Sequence, residues 1–309
     1  MKKLVAVPCF NEAETLEKTL NKLLDSKKKQ SFDILVCNDG STDSSEDILK
    51  YYENNILVIK SKHNKGLSSV FNSILYFAKQ KDYDSVLIFD ADEQYPVEEL
   101  ENMYQEFKQK DLDVLIGTRN FSKIEQFSTF KKILQVLGSL IVSIFLPIRI
   151  KDCTSGFRIY SSKAMELLFS TNNFSYTIET LFQIDNKKIK IGTIELSYVN
   201  KTRKSVLFST NYEYLRKTLK IIVKSIALYK TNIYFKSYIV FSTPGYFALS
   251  RFFIRYFKNG ANDGNIQSLF LGSIYIATLT LIFLFALLFI NLFKNQKTIE
   301  IQTYLPKHT

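Results

Sequence analysis

The sequence predicts an α/β fold in which the first half forms a Rossmann-like, mostly parallel sheet and the C-terminal part lies in or on a membrane. Three observations predict it. Apolar runs alternate with amphipathic stretches over residues 1–120, polar loops follow three of those runs, and residues 264–293 are 30 consecutive uncharged positions. The alternation is typical of a parallel sheet covered by helices on both faces. An uncharged run longer than ~20 residues can cross a bilayer.

Five apolar runs have the length of strands, and four stretches between them have helical spacing. In the first of these stretches, leucines recur on one helical face from Leu16 to Leu24. The predicted strands are Leu4–Val7, Ile34–Cys37, Ile56–Ile59, Val86–Phe89 and Val114–Gly117. The predicted helices are Thr15–Leu24, Ser44–Tyr52, Leu67–Lys79 and Val97–Lys108.

Polar loops follow three predicted strands at their carboxyl ends: Pro8–Glu12, Asn38–Asp43 and Asp90–Gln94. Ligands of open α/β sheets bind in the crevice beyond those ends, so we expect a site where the three loops meet. In the third loop, Asp90 and Asp92 could hold a hard divalent cation that bridges to substrate phosphates, although a solvated loop shows the same spacing. Three scattered cysteines and two histidines disfavour a Cys/His metal centre.

Charge is divided unevenly along the chain. Residues 1–200 carry a net charge of −1 and residues 201–309 carry +12, and this excess lies beside the most apolar segments. A nucleic-acid-binding protein would spread its basic residues over a soluble surface. The pattern therefore favours an anionic membrane surface as the partner, and no nucleic acid.

Two segments have the composition of helices that lie at a membrane interface. Ile133–Ile148 is uncharged, follows Lys131 and Lys132, and is short for a bilayer span. A helix buried in the core is the alternative for this segment. Lys201–Lys236 holds nine basic residues and one acidic residue. Within it, residues 206–236 predict a basic amphipathic helix that suits anionic headgroups.

Two membrane spans are predicted near the C-terminus, at about 238–257 and 268–293. The first contains Arg251 and Arg255 close to one end, from where their side chains can reach the headgroups. Residues 258–263 would then lie outside, and the tail 294–309 would lie in the cytoplasm with the basic segment. The apolar run near the N-terminus is too short for a signal peptide, so we also expect a cytoplasmic catalytic half.

Six motifs occur in order along the chain: V-P-C-F-N-E from Val7, N-D-G-S-T-D from Asn38, H-N-K-G-L-S-S from His63, D-A-D-E-Q from Asp90, G-T-R from Gly117 and T-S-G-F-R from Thr154. Together they resemble the inverting family-2 glycosyltransferases with a GT-A fold. They are most similar to the dolichyl- or polyprenyl-phosphate glycosyltransferases that carry two C-terminal membrane helices. The resemblance implies a catalytic domain over residues 1–205, with the interfacial helix at 133–148, and a membrane hairpin within residues 237–293.

The resemblance also implies a role for each motif residue. The nucleotide pocket would be lined by Pro8, Phe10, Asn11, Glu12 and Asp39, with Asp39 bonded to the base. Mg²⁺ or Mn²⁺ would be held on the diphosphate by Asp90, Asp92 and Gln94, with Ala91 between the carboxylates. The implied catalytic residues are Asp92, Arg119 at the acceptor-side phosphates, and Arg158 in the loop that shapes the acceptor end. Lys131 and Lys132 would surround the lipid phosphate, and Arg203 or Lys201 would fill a late basic position in a loop that is shorter than the family's.

The implied reaction transfers a hexose from a nucleotide-diphosphate sugar, of the GDP-mannose or UDP-glucose type, to dolichyl or polyprenyl phosphate with inversion. A phosphate monoester has a second pKa of about 6, so it is mostly dianionic at neutral pH. Such an acceptor needs positioning and charge neutralisation rather than a base. The sequence leaves the sugar, the nucleotide and a homo-oligomeric state open.

Two other functions stay open. A family-2 transferase that acts on a lipid or polysaccharide hydroxyl would need a carboxylate base near the acceptor, and Asp152 lies next to the T-S-G-F-R motif. A non-catalytic, membrane-anchored subunit would be expected to lose its metal ligands, whereas Asp90, Asp92 and Gln94 are all present.

Overall fold

The chain folds into two compact units, Met1–Val223 and Lys224–Thr309. The computed structural model describes residues 1–121, 124, 129–172, 175–198, 211–259 and 266–304. The predicted domain limit at residue 205, the basic positions Lys201 and Arg203, and most of the predicted outer loop lie outside these residues.

A seven-stranded sheet forms the centre of the first unit, in the order β3-β2-β1-β4-β6-β5-β7. Its strands are β1 (Lys3–Cys9), β2 (Asp33–Asn38), β3 (Leu57–Lys60), β4 (Ser85–Ile88), β5 (Val114–Thr118), β6 (Arg158–Ser161) and β7 (Ile191–Glu195). The helices are α1 (Ala13–Lys27), α2 (Ser45–Tyr51), α3 (Leu67–Gln80), α4 (Glu99–Gln109), α5 (Thr129–Ile144), α6 (Ser162–Leu167), α7 (Tyr176–Asn186), α8 (Asn211–Tyr229), α9 (Thr231–Asn259) and α10 (Ile266–Tyr304). The last two belong to the second unit.

The predicted α/β class, the five strands and the four helices of the first 120 residues are confirmed, with limits that move by at most three residues. β6 and β7 were not predicted. β6 is four residues long and directly follows the polar T-S-G-F segment, so it lacks the apolar run that marks the other strands.

The direction of β6 decides what lies at the ligand-binding edge of the sheet. β6 is antiparallel to β4 and β5, whereas the other neighbouring strands are parallel. Its first residue, Arg158, pairs with Ile88 near the carboxyl end of β4 and with Ile116 in β5. Because β6 starts where its neighbours end, the segment that precedes it, residues 153–157, emerges beside the loops that follow β4 and β5.

Apolar packing holds α1 and α4 against the sheet. Leu16, Leu20 and Leu23 of α1 are fully buried in one cluster with the central strands, and Met103 and Phe107 of α4 join the same cluster. Full burial of one such side chain contributes roughly 1.5–3 kcal/mol. This packing gives the loops at the carboxyl edge a rigid support.

Helix α1 and helix α4 bury their apolar faces, whereas helix α5 faces the protein with polar side chains. Gln135 and Ser139 are buried, whereas six apolar side chains are at least 40% exposed: Ile133, Val136, Leu137, Leu140, Ile141 and Ile144. The alternative of a buried core helix is therefore wrong for this segment. An outward apolar face agrees with the predicted interfacial helix, which ends at Ile144 rather than at Ile148.

In the second unit, α9 and α10 pack as an antiparallel pair. An added Cβ at Gly272 would lie 3.0 Å from the carbonyl oxygen of Gly245, so the two backbones are in close contact there. One turn further along, the Tyr275 hydroxyl donates to the carbonyl oxygen of Phe241 at 3.1 Å. Close glycine contacts and interhelical hydrogen bonds are typical of helices packed within membranes.

Within the described residues, the segment Ile266–Leu292 of α10 is the helix that is long and apolar enough to cross a membrane. It coincides with the predicted second span, 268–293. The predicted first span, about 238–257, lies in α9, which is helical throughout but does not reach that hydropathy. The first span therefore stays a prediction.

Candidate active site

The loops after β1 and β2 are bonded to each other. Asn11 has a left-handed backbone (φ 55°), and its Oδ1 accepts the Thr42 backbone N–H at 2.8 Å. The Asn11 N–H donates to Ser41 Oγ at 3.0 Å, and the Glu12 N–H donates to Ser45 Oγ at 3.1 Å. These bonds fix Asn11 and Glu12, two residues predicted for the nucleotide pocket, at the carboxyl edge of the sheet.

Asp39 follows β2 and is buried. Its carboxylate accepts the backbone N–H groups of Lys65 at 3.0 Å and Gly66 at 2.8 Å, which fixes the segment before α3. Gly40 is left-handed (φ 71°), and an added Cβ would lie 2.8 Å from the His63 carbonyl carbon, so that segment passes directly against it. Burial raises the pKa of Asp39 in spite of these N–H bonds. The structure thus shows Asp39 bonded to the segment before α3, and its contact with a nucleotide base stays a prediction.

The loop after β4 carries the two carboxylates of the D-A-D-E-Q motif. The Gln94 N–H donates to Asp92 Oδ1 at 3.0 Å, which closes a tight turn between the two residues. Asp90 lies against Gly156, where an added Cβ would be 2.9 Å from Asp90 Oδ2. Burial, together with the charge of Asp92, raises the pKa of Asp90 to about 7, although Arg119 acts in the opposite direction. Burial therefore opposes ionisation of Asp90, and the neighbouring Asp92 carboxylate adds to that effect.

This donor set fits a hard divalent cation. Carboxylate oxygens are the ligands that Mg²⁺ and Mn²⁺ prefer, and a cation would relieve the repulsion between Asp90 and Asp92. Gln94 was predicted as a third ligand of the cation. In the structure its Oε1 accepts a hydrogen bond from Arg119 Nη1 at 3.1 Å, so this oxygen is directed at Arg119. In the part of the chain that the structure describes, no three His, Cys, Asp or Glu side chains are grouped to hold a metal. A cation here would take its other ligands from substrate phosphates and water.

Arg119 pairs with Asp152 through two parallel contacts. Its Nε donates to Asp152 Oδ2 at 2.6 Å and its Nη2 to Asp152 Oδ1 at 3.1 Å, while Nη2 also donates to Thr154 Oγ1 at 2.9 Å. The side chains of Arg119 and Asp152 are 9% and 0% exposed. Burial would raise the pKa of Asp152, but the Arg119 guanidinium and these hydrogen bonds outweigh it, so the pKa is lowered. Arg119 consequently joins the D-A-D-E-Q loop to the segment before β6.

The structure corrects the interpretation of Arg158 as a catalytic residue. Its side chain is fully buried, and the guanidinium donates to three backbone carbonyl oxygens, those of Cys153, Ser155 and Thr177, each at 2.8 Å. Arg158 therefore lies beneath the site and holds the shape of residues 153–157 rather than contacting a substrate.

Two buried tyrosines hold Gly156 from either side. The Gly156 N–H donates to the Tyr95 hydroxyl at 3.2 Å, and the Tyr176 hydroxyl donates to the Gly156 carbonyl oxygen at 3.2 Å. Tyr95 also stacks on Phe157, with ring centroids 4.9 Å apart, and burial raises its pKa to about 12. Neither tyrosine was predicted. Tyr95 directly follows the D-A-D-E-Q motif, which could have identified it, whereas no pattern marks Tyr176.

The remaining predicted residues differ in exposure, and some fall outside the described part of the chain. Pro8 and Phe10 are partly exposed at the end of β1, and Lys132 is partly buried on α5. Ala91 is buried, and its carbonyl oxygen accepts a hydrogen bond from Thr19 Oγ1 at 3.0 Å. The side chain of Lys131 and the whole of Arg203 are not among the described residues.

Comparison with known proteins identifies the family. The model of glycosyl transferase family 2 matches residues 4–169. An undecaprenyl-phosphate mannosyltransferase of Micrococcus luteus is 23% identical over 65% of this chain and 85% of its own length. A dolichol-phosphate mannosyltransferase of Pyrococcus furiosus is 27% identical over 70% of this chain, which spans only 62% of that relative.

A solved structure shares the fold. Glucosyl-3-phosphoglycerate synthase from Mycobacterium tuberculosis, in complex with Mn²⁺, uridine diphosphate and phosphoglyceric acid, has a TM-score of 0.54 at 15% identity over 73% of this chain and 77% of its own. The resemblance drawn from the motifs is confirmed, since the family model extends over more than half of the sequence: the chain belongs to glycosyl transferase family 2.

Proposed function

We propose that the chain transfers a hexose from a nucleotide-diphosphate sugar to dolichyl or polyprenyl phosphate, with inversion, on the cytoplasmic face of a membrane. The observation that carries the choice of acceptor is the ion pair between Arg119 and Asp152. A hydroxyl acceptor would require Asp152 as its base, but Arg119 binds both carboxylate oxygens and lowers the pKa, which makes Asp152 a weak base. A dianionic phosphate attacks without a base.

The relatives support the same class of acceptor. The Micrococcus and Pyrococcus proteins are both named for transfer to a long-chain lipid phosphate, undecaprenyl or dolichol phosphate. These two are named as mannosyltransferases and two others as dolichyl-phosphate glucosyltransferases, so GDP-mannose and UDP-glucose are the two candidate donors.

On the donor side, Asp90 and Asp92 would hold Mg²⁺ or Mn²⁺. When bound, the cation supplies positive charge to the leaving diphosphate. The chain's own residues then shape the site. Asp39 and the bonded loops after β1 and β2 form the nucleotide wall, and the two tyrosines hold Gly156 against Asp90, where the sugar would lie. Rigid support of this kind favours catalysis, because it fixes the reacting groups before substrate binds.

On the acceptor side, α5 connects the site to an apolar surface. Thr154 Oγ1 donates to Gln135 Oε1 at 3.1 Å, and the Cys153 N–H donates to Ser139 Oγ at 3.2 Å. The helix with the exposed apolar face is thus bonded directly to the segment that reaches Arg119. If α5 lies in the interface, a lipid phosphate at headgroup depth is level with that segment.

A cavity of about 170 Å³ lies beside this segment. It is bounded by α5, by α8 and by Cys153 and Thr154, and most of its lining is apolar: Leu134, Leu137, Ile141, Leu215, Leu219 and Ile222. An apolar cavity next to the acceptor end suits the first isoprene units of a lipid phosphate better than a polar polysaccharide.

The test is a transfer assay with the full chain in detergent. Labelled GDP-mannose, UDP-glucose and other GDP- and UDP-sugars are each offered with polyprenyl phosphate, and the lipid fraction is counted. We expect one donor to label the lipid and mild acid to release the label, because a sugar on a phosphate is acid-labile. An acid-stable lipid product would show a hydroxyl acceptor instead. Absence of transfer from every donor would favour the non-catalytic subunit.

A further inference from the structure

We propose that helix α1 positions loop 90–94, which carries both carboxylates of the candidate metal site, and this inference rests on the proposed metal role of that loop. Two lysines one turn apart on α1 bind one carboxylate of the loop. Lys18 Nζ lies 2.9 Å from Glu93 Oε2, and Lys22 Nζ lies 2.7 Å from Glu93 Oε1. Glu93 is 16% exposed, so its carboxylate is held between the helix and the loop rather than in solvent.

A third contact from the same helix holds the other side of the loop. Thr19 Oγ1 donates to the Ala91 carbonyl oxygen at 3.0 Å, and this hydrogen bond is buried. Ala91 and Glu93 are the two neighbours of Asp92. Helix α1 therefore contacts the backbone of the residue before Asp92 and the side chain of the residue after it. We call these three contacts the α1 clamp.

The conformation of the loop explains why a clamp is needed. Glu93 has a left-handed backbone (φ 59°), which is disfavoured for a residue with a Cβ and is seldom adopted by glutamate. This conformation turns the chain so that the Gln94 N–H donates to Asp92 Oδ1 at 3.0 Å. Without the two lysines, Glu93 would lose two ion pairs that stabilise its left-handed backbone. The turn that orients the Asp92 side chain would then become less stable.

A positioning role and a purely electrostatic role of the two lysines predict opposite changes in cation affinity when the lysines are removed. Lys18 and Lys22 are positive charges close to a site that would bind a cation. If they acted only through their charge, their removal would make the site more negative and tighten cation binding. If they hold Asp92 in place, their removal weakens cation binding. The direction of the change therefore distinguishes the two roles.

The experiment titrates Mn²⁺ into the full chain in detergent, with UDP or GDP present, and measures free Mn²⁺ by its EPR signal. The double variant Lys18→Ala, Lys22→Ala should raise the dissociation constant about fivefold at low salt, since ion pairs with exposed lysines are individually weak. The matched control is Lys28→Ala, which removes an ion pair between Lys28, directly after α1, and Asp25 in α1. Its dissociation constant for Mn²⁺ should stay within about twofold of wild type.

A conservative variant separates positioning from a general loss of structure. Lys18→Arg with Lys22→Arg keeps both ion pairs and should keep wild-type affinity, while all variants keep the wild-type thermal midpoint within a few degrees. Unchanged or tighter Mn²⁺ binding in the alanine variant would overturn the clamp, as would weakened binding in the arginine variant. A wild-type chain that binds no Mn²⁺ with either nucleotide would overturn the metal site as well.

Discussion

Replacing Asp152 by Asn tests whether its buried ion pair with Arg119 stabilises the first unit. The carboxylate accepts two hydrogen bonds from the Arg119 side chain and one from the Thr154 backbone N–H, and it has no exposed surface. Removing one partner of a buried ion pair leaves the other charge uncompensated, which costs about 3–5 kcal/mol. For a unit of about 220 residues this corresponds to a fall in Tm of roughly 6–20 °C. We therefore expect Asp152→Asn to destabilise the first unit strongly.

Thermal denaturation followed by circular dichroism measures this effect, with Glu166→Gln as the control. Glu166 pairs with Lys79 where both side chains are more than half exposed, so its loss should cost less than about 1 kcal/mol. The effect should also depend on pH. The pKa of Asp152 is lowered by folding, so its contribution is present above the unfolded pKa of about 3.9 and is lost as the pH falls through the folded pKa. If the Tm of Asp152→Asn lies within 2 °C of wild type at pH 7, the ion pair does not stabilise the first unit as we infer.

Three further predictions concern the metal, the acceptor and the membrane. Asp92→Asn should abolish transfer without lowering Tm, and EDTA should silence the wild type until Mg²⁺ or Mn²⁺ is added back; full activity of the variant would contradict the metal role. Gln135→Leu removes the hydrogen bond that Gln135 accepts from the Thr154 hydroxyl, which is worth ~0.5–1.5 kcal/mol. The KM for polyprenyl phosphate should therefore rise about two- to tenfold while the KM for the nucleotide sugar stays constant. Equal rises in both KM values would argue against an acceptor role of this segment. A cysteine at Asn262 should react with an impermeant thiol reagent on intact cells and one at Lys297 should not; equal labelling would contradict the predicted hairpin.

The sheet was predictable because its signals are local. Each of the first five strands contains an apolar run, and the first helix repeats leucine at helical spacing. The short strand β6 was not predictable in this way. It exists because β4 and β5 leave a gap that an extended segment fills with backbone hydrogen bonds, and this is a property of the assembled sheet rather than of the four residues themselves.

The direction in which α5 faces could not be read from its composition. An amphipathic helix shows the same periodicity whether its apolar side faces a core or a membrane. What decides the orientation is that Gln135 and Ser139 find partners in Thr154 and Cys153, which lie 19 and 14 residues further along the chain. Those partners are brought to the helix by β6, so the outward apolar face follows from the tertiary fold.

Motif residues were predictable as a set, but their roles were less so. The two arginines show the difference. From sequence, Arg119 and Arg158 both fall in motifs and both carry a charge, yet the Arg119 guanidinium pairs with the Asp152 carboxylate while the Arg158 guanidinium donates to backbone carbonyl oxygens. The difference lies in the partners that the fold supplies. Arg119 follows β5 and meets the side chains of Asp152 and Gln94, whereas Arg158 begins β6 and meets backbone carbonyl oxygens.

The antiparallel course of β6 explains how distant residues form one polar network. A parallel strand in this place would begin at the amino edge of the sheet, and residues 153–157 would then lie on the side away from the site. Because β6 runs the other way, Asp152 and Thr154 meet Arg119 after β5 and reach Gln94 after β4 through it, while Thr154 also contacts Gln135 on α5. Hydrogen bonds thus run without a break from the donor-side loop to the helix whose apolar face points outward. If the chain transfers a sugar to a membrane lipid, as proposed, and α5 lies in the interface, this network would tie the position of the loop after β4 to the depth of that helix.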